Sequence, residues 1–152
     1  MNVVIRTDAS YEIGFGHVMR CIALALELEE LGVTIKFITR NHLGNLNEQI
    51  IGNGFEVDSL PSPVRYKSQH GLVGYEKWLG IKQLIDAEET IKLLTNKQPD
   101  WLIIDHYALD KTWEKKLKPH TKKIMVIDDL ANRKHDCDLL LNQNYIHNKS
   151  LY

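Results

Sequence analysis

Short aliphatic and β-branched runs alternate with amphipathic segments along most of the chain, the pattern of βαβ units that build a parallel sheet. Six runs read as strands: NVVIRT from Asn2, VTIKFIT from Val33, FEVDSL from Phe55, WLIID from Trp101, KIMVID from Lys123 and CDLLLNQ from Cys137. After the first, Val18, Cys21, Ile22, Ala25, Leu28 and Leu31 recur at steps of three and four. That spacing predicts a helix from His17 to Leu31, with Gly32 as its stop. Weaker helical patterns cover Leu43 to Ile51, Leu84 to Thr95 and Leu109 to Leu117, with Pro99 and Pro119 lying beyond the last two. The segment PSPVRYKSQHGLVGYEKWLGIK from Pro61 follows neither period and is interrupted by prolines and glycines, so it reads as a long functional loop.

The expectation is one α/β domain: a doubly wound, mostly parallel, Rossmann-like sheet with right-handed crossovers. A length of 152 residues suits one domain with its own core. Hydrophobic residues at 43% and charged residues at 26% argue against disorder and against a membrane protein. A net charge of −1 argues against a nucleic-acid partner, which calls for a basic face. The start, MNVVIRTDAS, does not read as a signal peptide, and no apolar run is long enough to span a bilayer, so a cytoplasmic protein is expected. Cys21 and Cys137 are far apart and give neither a disulfide framework nor a zinc spacing.

In a sheet ordered 3-2-1-4-5-6, ligands bind beyond the carboxyl ends of the strands, where the order reverses. Here that brings the end of the first strand, TDAS leading into GFGH, beside the end of the fourth, Asp105 to Tyr107, with Asp128 and Asp129 next to it. Gly14 and Gly16 free backbone amides at the start of a helix, which suits an anion. The pattern is neither the dinucleotide fingerprint, since Met19 stands at the third glycine position, nor a P-loop.

His17 stands at the positive end of that helix, which disfavours its protonated form and suits it to accept a proton. The residues alone equally allow it to cap or pack the first turn. Asp8 and Ser10 are either turn residues that cap local amides or groups that orient His17. A charged pair such as Asp105 and His106, directly after a buried strand, must face the crevice or find a partner. Asp128 and Asp129 lack further spaced ligands, so no metal site is expected, and IDDLANRKHDCD reads as readily as a turn. Tyr75 and Trp78 could pack over a sugar or base, or form a small core beneath the loop.

Four segments, RTDASYEIGFGHVMRCIALALEL, KWLGIKQLIDAEET, DWLIIDHYALDKTWE and IDDLANRKHDCDLLLNQN, together carry a resemblance. They resemble the N-terminal half of the UDP-2,4-diacetamido-2,4,6-trideoxy-β-L-altropyranose hydrolases of pseudaminic acid biosynthesis, and the related spore-coat polysaccharide proteins. The resemblance implies a two-domain glycosyltransferase-B architecture, similar to the lipid-linked N-acetylglucosaminyl transferase of peptidoglycan synthesis. It implies a UDP-sugar substrate hydrolysed at the anomeric carbon, with neither metal nor cofactor. By the same resemblance His17 is the general base, the loop Gly14, Phe15 and Gly16 lies near the diphosphate, and the segments at Tyr75 to Gly80 and Asp105 to Tyr107 face substrate. The candidate set is thus His17 as catalytic base, with Asp8, Ser10, Gly14, Phe15, Gly16, Tyr75, Trp78, His106 and Tyr107 as substrate-binding residues.

The expected organisation is a catalytic-base domain over residues 1–141 and the start of an interdomain connection at 142–152. A C-terminal UDP-binding domain is expected beyond the chain, which would then be a fragment of a longer protein. Two other readings compete. One is the N-domain of a glycosyltransferase acting on a sugar or lipid hydroxyl, which an apolar membrane-facing patch would mark; no loop in the sequence has that character. The other is a non-catalytic nucleotide-sugar or protein-binding module.

Overall fold

The computed structural model describes residues 1–65, 71–94 and 98–144. Six strands form one sheet: β1 (Asn2–Thr7), β2 (Thr34–Arg40), β3 (Glu56–Leu60), β4 (Trp101–Asp105), β5 (Ile124–Ile127) and β6 (Leu139–Leu141). Their order is β3-β2-β1-β4-β5-β6, and every neighbouring pair is parallel, as the doubly wound reading requires. The sheet buries both faces because successive side chains alternate. Val4, Leu102 and Ile104 join a core with Leu79, Trp113 and Leu117, whereas Val3, Ile5 and Ile103 join a second core with Val18, Ile22, Phe37 and Phe55.

Helix α1 (Gly16–Glu30) runs against the second core through Val18, Cys21, Ile22 and Ala25, the period the sequence displayed. Gly32 just beyond it has φ +77°, the left-handed geometry that ends the helix. Helix α2 (Asn47–Gly52) starts four residues later than its apolar pattern suggests. Asn45 donates to the Asn41 side chain and the His42 carbonyl, and Gly44 sits at φ +78°, so local turn chemistry overrides the pattern and leaves Leu43 exposed.

Helices α4 (Gln83–Leu94) and α5 (Lys111–Leu117) cover the first core. Thr95, expected to end the former, lies outside the described residues. Asp110 sits in extended geometry and accepts from the Thr112 amide at 2.7 Å, which moves the start of α5 past Leu109.

The segment from Pro61 is more ordered than its composition suggests. It holds a 3-10 turn at Pro63–Arg65 and a short helix α3 (Glu76–Leu79), ended by Gly80 at φ +75°. A Cβ on Gly80 would come within 2.6 Å of the Pro63 side chain, so glycine is required for this packing. Residues 66–70 of that segment lie outside the described residues, as do 145–152 of the expected interdomain connection. Among the described residues no helix is long and apolar enough to cross a membrane.

Candidate active site

The register pairs Thr7 with Asp105, so the β1–α1 loop and the end of β4 meet at one point of the sheet edge. The loop is pinned locally: Ser10 Oγ accepts from the Glu12 and Ile13 amides at 3.1 and 3.0 Å, and the Gly14 amide donates to the Ser10 carbonyl. Gly14 has φ +79° and lets the chain turn into α1. Gly16 does not share that geometry; it is an ordinary first helical residue, and a Cβ there would meet only open space. Backbone geometry therefore does not require glycine at that position. Phe15 precedes it at the helix start, half exposed, and no side chain caps the first turn.

His17 follows on the buried face of α1, and its Nδ1 lies 2.7 Å from Asp105 Oδ1. Arg20, one turn further, lays a fork on the same carboxylate, with Nε to Oδ2 and Nη2 to Oδ1 both at 2.5 Å. The i,i+3 spacing puts imidazole and guanidinium on one face. Arg20 Nη2 is also 3.1 Å from His17 Nδ1, but the ionised Asp105 carboxylate only accepts, so the 2.7 Å contact requires that Nδ1 carry the proton and donate it to Asp105. The other nitrogen, Nε2, is then the acceptor, and no hydrogen bond among the described residues engages it.

Burial by itself would raise the Asp105 carboxyl, but the Arg20 fork and His17 outweigh it and hold the group below the ordinary carboxylate range. Arg20 is in turn raised, chiefly by its bond to Asp105. Tyr107 stands edge-on to His17, ring centroids 4.4 Å apart, and donates from its hydroxyl to Asp129 Oδ1 at 2.5 Å. Burial, followed by that bond to Asp129, pushes its phenol up to about 12. Tyr75 and Trp78 pack on Tyr107, with centroids at 5.3 and 5.9 Å, so the long loop lays an aromatic wall beside His17.

Of the predicted residues, His17, Tyr75, Trp78 and Tyr107 thus pack together, with Gly14, Phe15 and Gly16 on the loop that leads into the helix of His17. Asp8 and His106 turn the other way. Asp8 is fully buried and takes a bidentate pair from Arg6 at 2.5 and 2.9 Å, plus the Arg40 amide at 2.6 Å. His106 accepts the Ala108 amide on Nδ1 and brings Nε2 to 3.4 Å from Asp8; burial drives its pKa down to about 3. Ser10 serves its own turn. The expectation that Asp8 or Ser10 orients His17 is therefore replaced: the carboxylate on His17 is Asp105.

The candidate set leaves out Asp105 and Asp129, although the sequence places both at this edge, and does not single out Arg20 at all. Arg20 carried a readable signal, since it stands three positions after His17 on one predicted helix. Asp128 belongs to a turn, accepting from the Ala131 amide at 3.0 Å and pairing with Arg133 at 2.6 Å.

No protein-family model matches the chain. It is 31% identical over 145 residues, 95% of its length, to a UDP-2,4-diacetamido-2,4,6-trideoxy-β-L-altropyranose hydrolase of Campylobacter jejuni, of which the match covers 42%. An uncharacterized glycosyltransferase of Methanosarcina acetivorans is 33% identical over 63% of the chain and 26% of its own length. One of Methanosarcina mazei is 29% identical over the same shares. The chain therefore spans less than half the length of these relatives. The glycosyltransferase relatives and the six-stranded parallel sheet together fit the N-terminal domain of a glycosyltransferase-B architecture. The chain is thus similar to the N-terminal part of a UDP-2,4-diacetamido-2,4,6-trideoxy-β-L-altropyranose hydrolase and to glycosyltransferases.

Proposed function

We propose that this domain supplies the general base for hydrolysis of a UDP-activated diacetamido-trideoxy sugar, releasing UDP and free sugar for nonulosonic acid biosynthesis in the cytoplasm. The observation that carries the reading is the His17–Asp105 pair at 2.7 Å, with Nε2 left as an acceptor at the sheet edge. In this reaction Nε2 takes a proton from water as the water oxygen bonds to the anomeric carbon. The bond from that carbon to the diphosphate oxygen breaks, and UDP leaves with the electron pair. A positioned base contributes roughly two to four orders of magnitude.

The uncapped first turn of α1, with Gly14, Phe15 and Gly16 in front of it, suits the diphosphate, because unpaired amides and the helix dipole favour negative charge. Tyr75, Trp78 and Tyr107 offer ring faces to the sugar. The proposed division places the base domain in residues 1–141 and most contacts to UDP in a further domain outside this chain. The test is incubation of the full-length protein with the UDP-trideoxy sugar in oxygen-18 water. UDP release with the label in the sugar supports hydrolysis at carbon, and label in UDP overturns it.

A second reading has one observation in its favour. Tyr11, Leu43 and Val64, on the loops after β1, β2 and β3, are 75%, 82% and 82% exposed, an apolar surface at the same edge that no single loop of the sequence displayed. Such a surface suits a lipid-linked or glycosyl acceptor, and transfer from the UDP-sugar to an added acceptor in preference to water would establish a transferase.

A further inference from the structure

Five side chains around the sheet edge close a circuit. His17 Nδ1 meets Asp105, Asp105 takes both arms of Arg20, and Arg20 Nη1 reaches Asp129 Oδ2 at 3.4 Å. Asp129 Oδ1 accepts the Tyr107 hydroxyl, and the Tyr107 ring returns to His17. The circuit draws on α1, β4 and the segments following β4 and β5, so no neighbouring pair in sequence accounts for it. Arg20 and Asp129 are largely covered, with side chains 18% and 14% exposed, and Asp105 is sealed.

We infer that Arg20 and Asp129 are positioning residues that set the charge and orientation of His17: Arg20 by dividing the charge of Asp105, and Asp129 by bracing Arg20 and Tyr107. This rests on His17 being the proton acceptor proposed above. A buried carboxylate at 2.7 Å, acting alone, favours the imidazolium, and an imidazolium cannot accept a proton. The Arg20 fork neutralises that carboxylate, so the imidazole stays in the form that can act as a base. Asp129 then leaves the four groups with one net negative charge while His17 is neutral, and proton uptake brings the set to zero. Arg20 thus opposes protonation of the base, and Asp129 compensates the charge when the proton is taken up.

The groups facing His17 are Asp105 from β4, Arg20 from its own helix and Tyr107 from the segment after β4, while His106, turned inward toward Asp8, is coupled to it only through charge. Cys21 also donates to Asp105, at 3.5 Å. Arg20, which faces His17, and Asp129, which reaches it through Arg20 and Tyr107, can be altered with opposite electrostatic sign, which a merely structural role would not reproduce.

The test is a nitrogen-15 and proton NMR titration of His17 in the 152-residue chain, its signals assigned by their loss in His17→Gln. Arg20→Met is expected to raise the pH of half-protonation by about one unit, a tenfold change in proton affinity, and Asp129→Asn to lower it. Arg20→Lys, which keeps the charge without the fork, should fall between Arg20→Met and the unaltered chain. Should Arg20→Met not fold, Arg20→Lys and Asp129→Asn carry the same signs. Unchanged midpoints in folded variants, or shifts of the same sign for both residues, overturn the inference. Failure of the hydrolase reading shows separately, as absent UDP release with the NMR shifts intact.

Discussion

Two charge clusters lie one strand's width apart at the carboxyl ends of β1 and β4, and they differ in whether they close on themselves. In the inner cluster Arg6 bonds Asp8 and Asp86, Arg40 bonds Asp86 and the Pro61 carbonyl, and Trp113 Nε1 donates to Asp86 at 2.9 Å. Arg6, Asp8, Arg40 and Asp86 are all fully buried, so the cluster ties β1, β2 and α4 beneath solvent. The inner cluster also meets imidazole nitrogens without a hydrogen bond, Nε2 of His42 and of His106 beside Asp8, but these are sealed in the interior, whereas the outer cluster ends on His17 Nε2 at the sheet edge. A buried charge must be paired to be tolerated, and once every oxygen and N–H is paired it has nothing left to offer a substrate. On the proposed function, reactivity at this edge belongs to the cluster that stays open on one side.

The widest break between the two comes from removing the centre of the inner one. Asp86→Ala leaves Arg6, Arg40 and the Trp113 N–H without their shared partner, and should cost about 3–5 kcal/mol, a large share of an ordinary domain's stability. Urea unfolding followed by tryptophan fluorescence measures it; a loss within 1 kcal/mol would show that the cluster is not a keystone of the fold.

His17→Asn should do the reverse. In the full-length protein, turnover is expected to fall by roughly two to four orders of magnitude, with the unfolding midpoint close to that of the unaltered protein. Near-normal UDP release from this variant would remove the base from the mechanism.

Acid separates the clusters through His106. Its folded pKa of about 3 lies below the usual 6.5, so between those values the unfolded chain binds a proton that the folded chain refuses. Its stabilising contribution is complete above about pH 6.5 and is lost as pH falls, by about 1.4 kcal/mol per unit. The depressed carboxyls of Asp8 and Asp86, which Arg6 holds down against burial, add a further loss below about pH 4. Urea midpoints from pH 7 to pH 4 should therefore decline, and His106→Gln should flatten the slope; an unchanged slope in that variant would assign the acid sensitivity elsewhere.

The smallest effects come from the glycines. Gly14→Ala places a side chain at φ +79° and should cost about 1–2 kcal/mol of stability. Gly16→Ala enters a helix with open space around its Cβ and should leave stability equal or slightly higher, by up to about 1 kcal/mol. Any defect in Gly16→Ala then appears in the substrate KM of the full-length protein. Equal stability losses in both variants would mean that Gly16 is also held by backbone geometry.

The usual order of doubly wound sheets gave the expectation that the β1 and β4 ends meet, whereas the six strands and the helix that presents His17 could be read from the residues themselves. These follow from local signals: alternation over five or six residues, a three- and four-step apolar stripe, and glycines where the chain turns. The sequence also marked the edge where polar residues collect. Folding alone settles which of those polar residues meet His17. Asp105 and Tyr107 approach His17, while His106 between them turns inward, because consecutive residues at a strand end alternate between faces and only the packing against each face tells them apart. The inner face holds Asp86, 80 positions from Arg6, and that distant carboxylate with its second arginine makes a sealed cluster of what reads locally as another polar strand end. Pairing of charges across such separations is a property of the folded chain, since no period in the sequence connects residues that meet only after the sheet and its covering helices have assembled.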